Sequence, residues 1–346
     1  MAAAMLAGCG STSSAPTKPD AAEQSTEAAA SAVASSESSG AKSKIGLLTV
    51  LNISEEEYEG MMQPYRKVRR IMTDADRNLP VVEWIFYDNL DAMQMALESG
   101  EIDRMEIPKS TADYLIANND KMQICSGPGK YDQLNEEDQR FIDSLFNTGF
   151  AFMMREDSEQ LRDDFDDALE DMKEDGTLDK LIKEYITDVV AGKEPKAVEF
   201  EDKGDETIKV AVTGDLPPMD YVAADGSFAG FNTAILSEIG KRLNKKIELK
   251  QVDSAARAMT LSSKEADVVF WTRVDTGKPD NGAPEQMDKR HKQNVSGEEE
   301  EKRKAIEEAL SELGSRMKRE QMDMPEGTMV TDPYYLDKFV LVELKK

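Results

Sequence analysis

The fold of this chain is decided by the stretch Ile208-Lys-Val-Ala-Val-Thr-Gly-Asp-Leu-Pro-Pro-Met-Asp-Tyr221. Its apolar start, from Ile208 to Val212, predicts a buried strand, and the two prolines that follow exclude a helix because they lack an amide hydrogen. Asp225-Gly226 then predicts a tight turn, and a helix with apolar residues at helical spacing begins at Asn232. A strand that passes through a loop into a helix is the repeating unit of an α/β protein.

The same alternation of strands and helices continues on both sides of this stretch. Apolar runs predict the other strands, which cover residues 44–51, 81–87, 103–107, 150–154, 247–252, 266–271 and 339–344. Apolar residues at helical spacing predict helices that begin near residues 54, 88, 158, 177 and 256. Asp88 is predicted to cap the second of these helices and Gly100 to end it. This rhythm predicts an α/β fold built on mostly parallel sheets.

A short internal repeat indicates that the fold has two similar lobes. Four residues recur 164 positions later with the same identities: Leu97, Ser99, Glu101 and Asp103 match Leu261, Ser263, Glu265 and Asp267. In both copies the leucine is predicted to pack a helix on the sheet, and the aspartate to begin a buried strand. Together with the matching rhythm of strands and helices, the repeat predicts a two-lobed chain.

Composition excludes several classes of function. The chain carries 69 acidic against 43 basic residues, a net charge of −26, which disfavours nucleic acid and anionic lipid as partners. Its single histidine, His291, and its two cysteines, Cys9 and Cys125, exclude a zinc site of the Cys/His type and a His-based nucleophile. No stretch approaches the ~20 consecutive apolar residues of a membrane-spanning helix. We therefore expect no metal, no cofactor and no nucleic-acid partner.

The first 43 residues are predicted to be a leader and a tether outside the folded part. A Ser-, Thr-, Ala- and Glu-rich run that extends to about Lys44 cannot bury a core. Before it, Leu6-Ala-Gly-Cys9 resembles the bacterial lipobox, whose cysteine becomes the acylated N-terminus after signal cleavage. The resemblance implies a lipid anchor at Cys9 and a place outside the cytoplasm; the alternative is a chance cysteine in a disordered leader. The missing basic n-region indicates that the signal segment is truncated.

Taken together, the folded segments resemble the family 3 extracellular solute-binding proteins, which are the amino-acid receptors of ABC importers. Residues 208–221 with Gly230-Phe231 are similar to the opening of the family's first lobe, and Asp332-Pro-Tyr-Tyr335 is similar to its crossover. Ala168–Tyr185 resembles the family's closing helices, and Ala96–Ile107 resembles a helix and strand of its second lobe. The resemblance implies a two-lobed periplasmic-binding-protein-like fold of type II, in which each lobe is a mostly parallel sheet flanked by helices.

The order of these pieces departs from the family pattern. The part that resembles the second lobe comes first, at residues 44–148, and closing helices with a linker follow at 149–204. The part that resembles the first lobe, 205–346, comes last and contains a charged insertion at 275–327. We expect a circular permutation that leaves one complete binding protein, because chain termini on domain surfaces tolerate such rearrangement. The alternative is two incomplete tandem domains.

The insertion is predicted to carry a charged helix from Ser296 to Arg319. Its thin apolar stripe consists of Ile306, Leu310, Leu313 and Met317. Charge runs usually mark solvated faces, which favours a solvated insertion over the alternative, a partner-binding helix.

The candidate ligand site follows from the places where strands end. Ligands of open α/β sheets bind outside the carboxyl ends of the strands, which places residues 214–221, 254–257 and 271–273 at the site. The candidate ligand-binding residues are Trp271, Arg273, Asp215, Asp220 and Tyr221 from the later half and Glu106, Asn52 and Ser54 from the earlier half.

Each candidate has a chemical reason and a structural alternative. Trp271, at the end of a predicted strand, is suited to stack on a ligand, and its alternative is packing in the core. Arg273, on the same side of the pleat, is suited to bind a carboxylate, and its alternative is a place on the solvent-facing surface. Asp215 and Asp220 are suited to accept hydrogen bonds from a ligand amine, or to cap a turn. Glu106 is a candidate because it interrupts an otherwise buried strand; its alternative is a place facing solvent. The alternative for Tyr221 is packing in the core, and the alternative for Asn52 and Ser54 is capping of a helix.

The resemblance implies an extracytoplasmic protein that captures a small polar solute, amino-acid-like or another carboxylate or amine, and performs no chemistry on it. Two lobes would close on the solute about a hinge near Thr148 and Tyr334 and present it to the permease of an ABC transporter. Pro108 stands where the family has its amine-binding aspartate, and Leu216 and Met219 replace two family aromatics, so an ordinary α-amino acid is not assumed.

Two other functions remain open at this stage. One is a dehydratase-like enzyme on the same fold, for which Glu106 and Asp220 are the only acid–base pair that the sequence offers. The other is a non-transport sensor or scaffold lipoprotein whose pocket binds nothing tightly.

Overall fold

The computed structural model of this chain describes residues 43–48, 60, 63, 66–68, 70–71, 82–125, 133–136, 139, 147–253, 256–274, 300–302, 304–306, 308 and 326–345. At residues 147, 148 and 270–274 the description is of the backbone alone. The predicted lipidation site Cys9, the candidates Asn52 and Ser54, and most of the insertion 275–327 lie outside these residues. None of the helices described has the length and apolar character that a bilayer crossing requires.

The described segments alternate between strands and helices along most of the chain. The strands are β1 Ser43–Leu48, β2 Val82–Tyr87, β3 Arg104–Pro108, β4 Met122–Ile124, β5 Asn147–Arg155, β6 Thr207–Val212, β7 Asp215–Leu216, β8 Asp220–Val222, β9 Phe228–Ala229, β10 Lys246–Gln251, β11 Val268–Val274, β12 Thr328–Val330 and β13 Tyr335–Leu344. The α-helices are α1 Leu90–Ser99, α2 Lys109–Asn118, α3 Glu159–Glu174, α4 Thr177–Ile182, α5 Asp188–Val190, α6 Phe231–Leu243 and α7 Arg257–Ser262. A π-helical turn, Lys183–Thr187, joins α4 to α5. Residues 66–68 and 304–306 are helical, and Val68 and Ile306 are buried.

Two sheets with the same internal order form the framework. In the N-terminal sheet, β1 lies between β2 and β3, and all three strands are parallel. In the C-terminal sheet, β6 lies between β10 and β11, again in parallel. An antiparallel strand follows each set, with β13 beside β3 and β5 beside β11. The predicted α/β class, with mostly parallel sheets and flanking helices, is confirmed.

The two sheets are joined by the strands that cross between them. β5 follows the elements of the N-terminal sheet but pairs with β11 of the C-terminal sheet, and β13 follows β12 but pairs with β3. The two crossing strands also pair with each other, Tyr335–Lys338 against Asn147–Phe150. The hinge predicted near Thr148 and Tyr334 falls at this pairing and stays a prediction.

The internal repeat appears in the structure as a repeated set of hydrogen bonds. The carboxylate of Asp103 accepts from the amide of Lys44 at 2.8 Å, and that of Asp267 accepts from the amide of Lys209 at 3.0 Å. The backbone amides of the same aspartates donate back to Lys44 O at 2.9 Å and to Lys209 O at 2.8 Å. Each aspartate therefore fastens one parallel strand to its neighbour, which is why the sequence places it at the same point in both halves.

These two aspartates should both contribute to stability. We expect Asp103→Ala and Asp267→Ala each to lower the free energy of unfolding by at least about 1 kcal/mol, since each removes a hydrogen bond from a strand amide, and Asp267 also pairs with Arg155 at 3.4 Å. Chemical denaturation of the two variants checks this, with Asp205→Ala as the control, because no side-chain bond is described for Asp205. A loss at one aspartate only would contradict the structural equivalence of the two sheets.

Several boundaries differ from the sequence prediction. Asn89, not Asp88, caps α1, because its extended backbone brings its side-chain oxygen to the amide of Ala92 at 2.8 Å. Gly100 ends α1 in the left-handed region, as predicted. Thr177, predicted as a cap, is the first residue of α4, and Gly176 holds the cap position. The sequence does not predict the helix α2, because Leu115 is the one large apolar residue among its four buried residues and the others are Ser110, Thr111 and Ala112.

Candidate functional site

A charged cluster, buried at two of its residues and half-buried at the third, lies at the carboxyl ends of the parallel strands β6 and β10. It consists of Asp215 and Asp220, on the hairpin that follows β6, and Arg257, the first residue of α7 after β10. Because β6 and β10 are adjacent and parallel, their carboxyl ends meet at one edge of the C-terminal sheet. Two of the predicted ligand residues are thus brought together, with an arginine from a segment that the sequence also placed at the site.

The hairpin β7–β8 positions both aspartates. Asp215 and Asp220 lie on its two strands, and the amide of Met219 donates to Leu216 O at 2.8 Å to close the turn. Gly230 follows the hairpin with a φ of +109°, and a Cβ there would lie 2.5 Å from the carbonyl oxygen of Met219. Glycine at this position therefore lets α6 begin directly against the turn. The start of α6 is Phe231, one residue before the predicted Asn232.

Asp220 is the most deeply buried acid of the cluster, with 2% of its surface exposed. Its Oδ2 accepts from the amide of Gly214 at 2.9 Å and from the hydroxyl of Thr213 at 3.2 Å. Its Oδ1 is buried and has no hydrogen-bond partner within the part of the chain that the structure describes. Burial raises the pKa of Asp220 to about 6; the Gly214 amide and Arg257 oppose this rise, and the charge of Asp215 adds to it.

Arg257 supplies the positive charge of the cluster. Its surface is 3% exposed, and burial lowers its pKa to about 10, while Asp220 and Asp215 act in the opposite direction. The guanidinium remains charged at neutral pH, so two carboxylates face one cation. Sequence reasoning placed segment 254–257 at the site but did not single out Arg257; the signal was an arginine in the run Ala255-Ala-Arg-Ala-Met259.

Asp215 connects the cluster to the N-terminal half of the fold. Burial raises the pKa of its carboxyl, and the Thr213 hydroxyl and the Leu90 amide counteract the rise by favouring the ionised form. Leu90 is the first residue of α1, which follows β2 of the N-terminal sheet. The Asp215 carboxylate therefore lies at the start of a helix from the opposite half, where the positive end of the helix dipole favours it.

Tyr221 lies at a second contact between the halves. Burial raises its pKa to about 12, and the neighbouring hydroxyls of Tyr114 and Tyr185 add to the rise. Tyr114 belongs to α2, and Tyr185 belongs to the π-helical turn after α4. Tyr221 therefore lies within electrostatic reach of tyrosines of the other half and of the closing helices.

A buried tyrosine and asparagine beside Asp220 escaped the sequence analysis. The hydroxyl of Tyr334 donates to Asn232 Oδ1 at 2.9 Å, and the charge of Asp220 helps to raise the pKa of Tyr334, after burial. Asn232 is fully buried, and its Nδ2 has no partner among the described residues. The sequence indicates only a local role for each residue, Tyr334 in the crossover and Asn232 at a helix start, and does not indicate that they contact each other.

Glu106 is placed away from the charged cluster. It is buried in the middle of the N-terminal sheet, in register with Leu47 and Leu341. Strand alternation puts it on the face of Ile45 and Leu47, whereas Met105 and Ile107 point into the main core. Glu106 therefore lies beside the cluster of Ile45, Leu47 and Trp84, whereas Asp220 lies on the hairpin that follows β6.

The backbone at Trp271 differs from the prediction. β11 continues to Val274, so Trp271 lies inside the strand rather than at its end, and Arg273 lies within the strand rather than after it. The register shifts between Phe270 and Thr272, which leaves Trp271 as an extra residue opposite β5. A bulge interrupts the alternation of sides, and with it the reason for expecting Trp271 and Arg273 to point the same way.

A groove elsewhere on the C-terminal half is not part of this site. It has a volume of about 440 Å³ and includes Arg155, Asp157, Ser262 and Glu326 in its lining. Arg155 donates to Ala266 O at 2.8 Å, just before β11 begins, so the groove lies at the amino edge of that strand, opposite the charged cluster. Within the described residues, no group of three or more His, Cys, Asp or Glu side chains is placed to hold a metal ion.

The sequence of this chain matches a known protein family. The model of the bacterial extracellular solute-binding proteins, family 3, matches residues 50–188 and 208–278, which together are more than half of the chain. No curated protein sequence matches this chain.

Several solved structures are similar to this chain at low identity. One is a ligand-binding component of an ABC-type import system from Staphylococcus aureus with zinc bound, with 12% identity and a TM-score of 0.35 over 88% of this chain and 66% of that chain. Another is a mutant of arginine-bound ArgBP from T. maritima, with 9% identity and a TM-score of 0.34 over 88% of both chains. A binding protein component of an ABC phosphonate transporter from Pseudomonas aeruginosa has 11% identity and a TM-score of 0.33 over 88% of this chain and 68% of that chain. The chain spans just under two thirds of the first of these proteins, and likeness at this level assigns it no ligand.

Proposed function

We propose, from the premise that this chain belongs to the bacterial extracellular solute-binding proteins of family 3, that it captures a small polar solute outside the cytoplasm. It presents the solute to the permease of an ABC transporter and performs no chemistry on it. A lipid anchor at Cys9, followed by the tether to residue 43, holds it at the membrane surface.

The observation that carries this proposal is the charged cluster of Asp215, Asp220 and Arg257. Burying the charges of Asp220 and Arg257, with that of Asp215 half-buried beside them, costs stability, and a fold that needed only to be stable would place apolar residues there. Perturbed charges gathered at the carboxyl edge of parallel strands are instead typical of a ligand site. Asp215 also meets α1 of the other half, which supports a site formed between the two sheets.

The proposed mechanism is closure of two lobes, 44–148 and 205–346, about the crossing strands β5 and β13. The contacts of Asp215 with α1 and of Tyr221 with α2 belong to the closed form, and the solute enters when they are apart. A solute shifts this equilibrium only by its greater affinity for the closed form. The matching strand orders of the two sheets support the interpretation that one binding protein is present, with its lobes permuted in the chain.

A thermal-shift screen against a library of small metabolites tests the proposal. We expect at least one compound to raise the melting temperature, because a solute at 100 times its Kd stabilises the folded state by about 2.7 kcal/mol. The control is Asp220→Asn, in which the same compound should give a smaller shift. If a broad library produced no shift at all, the sensor or scaffold function would replace this one.

A further inference from the structure

The helix starts near the candidate site are already occupied by acceptors of the protein itself. Among the described helices of eight or more residues that follow parallel strands or the β7–β9 hairpin, α1 has its Leu90 amide at the carboxylate of Asp215. In α2 the amide of Ser110 donates to the carboxylate of Asp337 at 3.0 Å. In α6 the amide of Phe231 donates to Pro218 O at 3.0 Å.

This occupancy bears on the charge of the solute. Helix starts are the usual protein sites for a ligand carboxylate or phosphate, because free amides and the helix dipole favour an anion. Here the carboxylate of Asp337 accepts from one of the three starts, and that of Asp215 lies at a second. An anionic solute would have to displace one of them and would then meet its charge.

The unsatisfied atom at the centre of the cluster requires a donor. Asp220 Oδ1 is a buried acceptor without a described partner, and a buried acceptor left unpaired is unfavourable. Among the described side chains of the cluster, Asp215 and Asp220 together carry one more negative charge than Arg257 balances. Both observations are met by a single ligand group that donates hydrogen bonds and carries a positive charge.

We propose that the solute is a small organic cation without a carboxylate, an amine or guanidinium compound, whose charged group binds at Asp220. This inference rests on the proposed function and names the class of solute for the same site. Such a solute differs from an α-amino acid because it lacks the carboxylate, and this difference can be tested by experiment.

Matched pairs of compounds isolate that difference. Calorimetric titration at pH 7.5 would compare ornithine with putrescine, lysine with cadaverine and arginine with agmatine, in each case an amino acid and the amine left after loss of its carboxylate. We expect at least one amine to bind at least tenfold more tightly than its parent amino acid. An amino acid that binds as tightly as its amine would overturn the inference while leaving the proposed function intact, as would a library compound that binds when no amine does. If nothing in the library binds, the proposed function itself fails.

Two further measurements locate the binding group. Asp220→Asn should weaken binding of the amine at least tenfold, whereas Asp225→Asn, in the exposed turn of the same hairpin region, should bind as the natural protein does. Affinity of the natural protein should also fall as the pH drops below about 6, because protonation of Asp220 removes its charge. Amine binding that is independent of pH from 7.5 to 5 and unaffected by Asp220→Asn would place the cation elsewhere and overturn the assignment.

Discussion

Replacing Arg257 by methionine should lower the free energy of unfolding by about 3–5 kcal/mol at pH 7.5, because it leaves the buried carboxylate of Asp220 and the half-buried one of Asp215 without their cation. Methionine keeps much of the length and apolar volume of the arginine side chain, so the loss of stability comes mainly from the missing charge rather than from poorer packing. The loss should shrink at pH 5, where burial keeps Asp220 largely protonated. Urea denaturation at the two pH values measures both numbers.

A double-variant cycle separates the charge effect from other consequences of the substitution. Asp220→Asn removes one of the two carboxylates that Arg257→Met leaves unbalanced, so the combined variant should be more stable, by about 1–3 kcal/mol, than the sum of the two single effects predicts. Lys203→Met, at an exposed lysine of the linker, is the control and should leave stability unchanged. Additive effects, or a loss below about 1 kcal/mol in Arg257→Met, would show that Arg257 does not balance these acids.

Asp220→Asn alone should make the protein more stable at neutral pH. In the folded state the pKa of Asp220 is about 6, against 3.8 as its ordinary value, so the folded protein binds more protons than the unfolded chain between these pH values. Stability contributed by this group is therefore present at low pH and is lost as the pH rises from about 4 to 6. The difference amounts to about 3 kcal/mol above pH 6. Asparagine stays neutral and still accepts from the Gly214 amide, so the variant should keep that stability at pH 7.5.

The measurement is the free energy of unfolding of both proteins from pH 4 to pH 7.5. The gain of the variant should be near zero at pH 4 and grow through pH 6, after which it should level off. Asp225→Asn is the matched control, because Asp225 is exposed and its pKa is lowered by Ser227, and its profile should follow the natural protein. A gain that did not depend on pH would contradict the raised pKa of Asp220.

The framework of the fold was predictable because its signals are local. Buried strands such as β6 are short apolar runs, and α1 ends at Gly100, where the backbone needs a left-handed residue. The repeat that ends in Asp103 and Asp267 was informative for a physical reason, since both side chains fasten a neighbouring strand. These features depend on residues near in sequence or on one repeated contact.

The composition of the site was only partly predictable because it depends on distant contacts. Asp215 and Asp220 were recognised as acids at a strand end, but their partner Arg257 lies 37 positions beyond Asp220. The interaction of Asp215 with Leu90 joins segments of the two sheets, and no local sequence pattern predicts it. The bulge at Trp271 also changes which side a strand residue takes without leaving a glycine or proline as a marker.

Hydrogen exchange of the backbone amides, with and without the stabilising solute, tests most directly whether the two sheet-based halves close on it. We expect the solute to slow exchange in both halves at once, at residues 90–93 of α1 and at residues 213–222 around the hairpin. Protection confined to one half, or centred on the groove at residues 155–157 and 326–328, would contradict a binding site between the two sheets.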